Sequence, residues 1–145
     1  MERAEHLAER LGLPIHDRAL LGQALTHSSW LHEHPADGAG HNERLELLGD
    51  AVIDLAISDA LFARHPDDDE GLLSARRAAI VSAAGLSVLS DRLGLGDLVL
   101  VGEGEAASDA RHRGSLLAST FEAVAGALYL DQGWDVVREW LLRLA

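Results

Sequence analysis

The stretch NERLELLGDAVID, residues 42 to 54, has helical spacing and poses a chemical problem. An apolar segment carries four acids, Glu43, Glu46, Asp50 and Asp54, with spacings of 3, 4 and 4. At about 100° per residue, a helix gathers all four within roughly a quarter of its circumference. Leu47, Ile53 and Ile57 interleave and flank this stripe, and Leu45, Leu48, Val52 and Leu55 fill the far side. Only Arg44, Ser58 and Asp59 break the apolar surround. The plain alternative is the solvated face of a surface helix. Acids hemmed in by apolar side chains repel one another and lose solvent, so they need a cation or protons.

The whole chain sets bounds on the answer. Its 145 residues make one domain, 1–145, with enough length to bury a core, and 48% hydrophobic content argues against disorder. No run of eighteen apolar residues occurs, and MERAEHLAER begins a polar helix rather than a signal peptide, so we expect no membrane. The absence of cysteine excludes disulfides and thiolate metal sites and is compatible with the cytoplasm. A net charge of −12, from 24 acids against 12 bases that are all arginine, should repel nucleic acid at long range.

The pattern predicts an all-α bundle. A first helix runs from about Glu2 to Leu11 and stops at Gly12. A second, capped near Asp17, carries ALLGQALTHSSW. His32 to His41 reads as a loop, followed by the acid-striped helix from about Asn42 to Arg64, ended by His65 and Pro66. Two further helices divide at Gly85, and LVLVGEGEAASDARHRG reads as an exposed loop, with room for a short strand at Leu98 to Val101. A helix from Gly114 to Leu130 and a final amphipathic WDVVREWLLRL complete the chain.

One acidic stripe coordinates a hard cation poorly, because Mg²⁺ wants near-octahedral oxygen ligands. The other acid set into a strongly apolar helix is Glu122, in SLLASTFEAVAGALYLD. With it the blocks fall into order. NERLELLGDAV resembles the signature of the ribonuclease III family. EGLLSARRAAIVS and LLASTFEAVAGALYLDQG resemble that family's next two blocks, and ALTHSSW resembles its N-terminal block.

The resemblance implies an all-helical ribonuclease III-type endonuclease domain. It would act as a homodimer that hydrolyses double-stranded RNA in RNA processing, including that of ribosomal precursors. Each subunit would hold Mg²⁺, or Mn²⁺, and cut one strand to leave a 5′-phosphate and a short 3′ overhang. In-line attack on phosphate needs an activated water and positive charge on the leaving oxygen, commonly from two metals about 4 Å apart. Carried over by position, Glu46, Asp50 and Glu122 match the metal-binding acids, with Asp50 and Glu122 catalytic. Glu43 and Glu70 match acids that support the site or the RNA contact near the subunit interface. Asp54 matches no family role, and reads as a solvated or capping acid.

Two departures stand out. Where the family usually has an aspartate of the metal site, this chain has Ser119. Ser119 and Glu122 also fit a capping box, but a helix begun near Gly114 turns Ser119 toward the cluster. Losing that charge would weaken metal affinity, shift preference to Mn²⁺, or abolish cleavage, the last giving a catalytically silent module that dimerises and holds RNA or a protein. Where the family often has an aromatic that docks into the partner, Leu47 stands, either docking with less area or serving as ordinary core. Bacterial members commonly continue into a double-stranded RNA-binding domain, and this chain ends at Ala145. RNA affinity would then rest on bound metal and on Arg44, Arg76, Arg77, Arg111 and Arg113, the last two in a basic or merely solvated loop. The histidines His27, His32, His34 and His41 fit no zinc pattern, and no Glu-x-x-His motif of a di-iron bundle occurs.

Overall fold

The computed structural model describes residues 2–35, 40–104 and 114–145. Within them the chain forms eight α-helices: α1 (Arg3–Leu11), α2 (Arg18–Ala24), α3 (Ser28–Glu33), α4 (Glu43–Arg64), α5 (Glu70–Val81), α6 (Ala83–Leu93), α7 (Gly114–Gln132) and α8 (Trp134–Leu144). A 3₁₀ turn, Leu95–Asp97, follows α6. No strand occurs among the described residues, as the missing β alternation predicts. No single described helix is long and apolar enough to cross a membrane.

The core is organised by α7, whose residues from Ala123 to Leu128 are all buried. It packs against α4 and α6, and also against α2 and α8. Phe121 is fully buried and stacks on Trp140 with ring centroids 5.6 Å apart, which joins α8 to the core. Burying a side chain of that size contributes about 1.5–3 kcal/mol. The stops were legible: Gly12 closes α1 in the left-handed region (φ 66°), Asp17 caps α2, and His65 ends α4.

Several boundaries differ from the sequence pattern, and α7 runs two residues past the expected Leu130, to Gln132. ALLGQALTHSSW is two helices, because Thr26 leaves the helix to form a parallel bridge with Leu100. The His27 amide donates to the Leu100 carbonyl (2.9 Å), and the Leu100 amide donates to that of Leu25 (2.7 Å). The 98–101 segment is therefore no exposed loop, and Val99 and Val101 are 0% and 3% exposed. The α5–α6 break falls at Ser82, whose hydroxyl accepts from the Gly85 amide (3.1 Å) and caps α6. The loop expected from His32 begins later, since α3 continues to Glu33, and its residues 36–39 lie outside the described residues.

Long-range polar contacts lock the helix entries. The buried Asn42 amide nitrogen Nδ2 donates to the Ala24 carbonyl (3.0 Å), and the Asn42 backbone amide donates to that of Thr26 (3.0 Å). These bonds tie the start of α4 to the bridge segment. At the opposite end of the chain, the Asp131 carboxylate accepts from the backbone amides of His16 (3.0 Å) and Asp17 (2.7 Å), pinning the entry to α2.

Candidate active site

Helix α4 buries Leu45, Gly49, Val52, Ile53, Ala56 and Ile57. That choice of core face leaves the acid stripe on the helix flank: Glu43 and Asp50 exposed, Glu46 and Asp54 half-buried. Helix α7 crosses this flank at very short range. A Cβ on Gly49 would run into the Glu122 carbonyl, and a Cβ on Gly126 would run into that of Leu45. Only glycine at both positions lets two helix backbones approach so closely. The crossing sets Asp50 against Glu122, and Glu43, Glu46, Leu47, Asp50 and Glu122 line an open cleft of about 370 Å³.

The electrostatics follow from that gathering. Burial, a side-chain hydrogen bond with Asp50, and the charges of Asp50, Glu46 and Asp54 push the Glu122 carboxyl up from its ordinary 4.5 to about 8. Burial, then Glu43 and Asp50, raise Glu46. Burial and Asp50 raise Asp54, against the pull of Arg77. At Glu46, Asp54 and Glu122, burial and neighbouring carboxylates both oppose ionisation, which sets this flank apart from a fully solvated face. Hard carboxylate oxygens of this kind suit Mg²⁺ or Mn²⁺. In their present rotamers no three His, Asp or Glu side chains among the described residues are gathered closely enough to hold a metal. Glu46, Asp50 and Glu122 share one cleft and offer the carboxylate oxygens that a hard cation takes.

Ser119 lies inside α7, five residues after its start at Gly114, so it is no N-cap; its hydroxyl donates back to the Leu116 carbonyl (3.1 Å). Glu70 is not gathered with the acids: it opens α5 and lines a different cleft with Ser58, Phe62, Asp68 and Arg77. Arg44 is exposed beside an apolar cleft with Leu47 and Leu130. Arg76 pairs with Asp68 (2.7 Å) and Arg77 donates to the Ser58 hydroxyl (2.9 Å), so both are engaged within the chain. Arg111 and Arg113 lie outside the described residues.

Asp54, named in the stripe but read as a solvated or capping acid, is half-buried, and its charge adds to the raising of Glu122. Two further contributors are not visible in the sequence pattern. His41 accepts from the Glu43 amide through Nδ1 (3.3 Å) and so caps α4, because the Asn42 side chain is used elsewhere. The second is the Gly49–Gly126 crossing, which local sequence does not reveal.

A ribonuclease-III-like family model matches residues 17–145. The ribonuclease 3 proteins of Bacillus velezensis and Desulforamulus reducens are 48% and 47% identical over 141 residues, 97% of this chain. The match takes in 57% of each, so the chain spans little more than half the length of these relatives. The nuclease domain of ribonuclease III from Campylobacter jejuni, in which a flexible region is involved in dimer formation, superposes with a TM-score of 0.88 at 36% identity, over 97% of this chain and 94% of that one. Dicer from Pichia stipitis superposes with a TM-score of 0.66 at 27% identity, over 91% and 55%. The chain belongs to the ribonuclease III family, and the part of the family that it matches is the nuclease domain.

Proposed function

We propose that this chain is a divalent-metal-dependent endoribonuclease domain that cuts double-stranded RNA in the cytoplasm as a homodimer, leaving 5′-phosphates and short 3′ overhangs. The observation that carries the reading is Glu122, a half-buried acid set among buried apolar residues of α7, which shares a cleft with Asp50, Glu46 and Glu43 and is raised to about 8. So costly a carboxylate cluster is stabilised when a cation enters it. Glu46, Asp50 and Glu122 would hold that ion, with Glu43 at the rim. When bound, the cation supplies an acidified water and positive charge against the phosphate. Glu46, Asp50 and Glu122 would hold and orient that water, and a carboxylate left ionised in the cleft can take up a proton without competing as a nucleophile. A loaded cleft also offsets part of the net charge of −12 where RNA must approach.

The dimer is supported by a second stripe on α4. Leu47, Ala51, Leu55 and Phe62 lie next to the acids around the helix, and the three large ones are 76%, 58% and 75% exposed. An isologous contact through this stripe would set two acid clefts on either side of one interface. Ser119 favours a second reading. Its hydroxyl is satisfied by Leu116 and adds no charge to the cleft, which suits a module that dimerises and holds RNA without cutting it.

Incubating the chain with a perfect RNA duplex at low salt, with Mg²⁺ and separately with Mn²⁺, separates the two. Staggered products that disappear in Glu122→Gln establish the enzyme. Cutting only by Ser119→Asp would mean an intact fold whose chemistry was lost at one position. No cutting by either leaves the silent module.

A further inference from the structure

We infer that Gly126 is a positioning residue of the acid cleft: it sets the separation of Asp50 and Glu122 by letting α7 seat its backbone on α4. Mid-helix glycine costs about 0.5–1 kcal/mol relative to alanine, so its place in the most buried helix calls for a compensating contact. The contact is visible. A Cβ at Gly126 would meet the Leu45 carbonyl and, at 3.1 Å, the Gly49 amide, while one at Gly49 would meet the Glu122 carbonyl and, at 2.9 Å, the Gly126 amide. Gly49 directly precedes Asp50, and Gly126 lies one helical turn beyond Glu122. The two closest points of the helix crossing are thus chained to two carboxylates that line the same cleft. Gly126 has no side chain with which to coordinate anything. Its effect runs through the backbone to the spacing of the acids.

This deepens the metal-dependent reading above, and its test separates the two. Binding of Mn²⁺ alone is measured by calorimetry for the chain, for Gly126→Ala and for Gly85→Ala. Gly85 is the control: its Cβ would also strike backbone, the Ile80 and Ala79 carbonyls, but away from the acids. We expect both variants to melt lower and only Gly126→Ala to bind Mn²⁺ more weakly, by roughly 10- to 100-fold. Asp50→Glu added to Gly126→Ala should regain affinity, its longer side chain spanning the widened crossing. Unchanged affinity in Gly126→Ala, or a loss matched by Gly85→Ala, overturns the inference.

If the unmodified chain binds no Mn²⁺, the metal reading fails, and a metal-free cycle decides this one. Asp50→Asn and Glu122→Gln should shift the melting midpoint non-additively with Gly126 present and additively with alanine there. Equal coupling in both backgrounds refutes it. Should Gly126→Ala not fold, Glu122→Asp must weaken Mn²⁺ binding and added Asp50→Glu must restore it; full affinity in Glu122→Asp means that the crossing does not set the spacing.

Discussion

Glu122 is where residue-scale chemistry is most exacting. Its carboxyl ordinarily titrates at 4.5 and is held at about 8 in the fold, chiefly by burial. Between those values the unfolded chain has released the proton while the folded chain keeps it. The metal-free protein therefore loses stability as pH rises through that window, and Glu46 adds in the same direction. We expect the metal-free melting temperature to fall from about pH 4.5 to about 8, and to fall less in Glu122→Gln. An identical slope in the variant would place the titrating group elsewhere. Divalent metal should raise the melting temperature more at the alkaline end, where the acids are ionised and repel most. Ser119→Asp inserts a further carboxylate without the bond to Leu116. It should melt lower than the parent without metal and gain more from Mn²⁺, as paired thermal scans would show.

At the scale of elements, caps and crossings decide where helices lie. Asn42 shows the limits of a local reading: it stands where a cap is expected, yet its side chain reaches Ala24 and the cap falls to His41. Asn42→Ala leaves the buried Ala24 carbonyl without its partner and should cost about 1–3 kcal/mol in chemical denaturation. A loss near zero would show the contact to be incidental. Gly49→Ala forces α4 and α7 apart at the Glu122 carbonyl and should destabilise by about 1–3 kcal/mol. The acid stripe and the ends of α4 were legible, because periodicity and stop signals are local. The split of ALTHSS from the helix before it was not, because the Thr26–Leu100 bridge joins segments far apart in the chain.

At the scale of the whole molecule, surface pattern governs association. The stripe of Leu47, Leu55 and Phe62 leaves more apolar area on one face than scattered surface residues would. Leu55→Glu should turn a dimer into a monomer in sedimentation velocity while the far-ultraviolet circular dichroism stays helical. Dimers that persist in this variant would move the interface to another face. The exposure of Leu47 also answers the question left open in the sequence, since a side chain 76% exposed is no ordinary core residue of the single chain.

Local pattern alone was enough to show that the chain is helical, which residues carry the acid stripe, and that Glu122 is the acid to set beside it. Helical periodicity and the order of blocks are written in neighbouring residues and need no partner to be read. Which acids meet depends on the packing of helices that are distant in the chain. That packing brought Asp50 to Glu122, drew Asp54 into their field, left Glu70 in another cleft, and engaged Arg77 with Ser58. Those outcomes turn on how closely two helices can pack. Here that closeness comes from two missing side chains, Gly49 and Gly126, whose meaning appears only when their backbones touch.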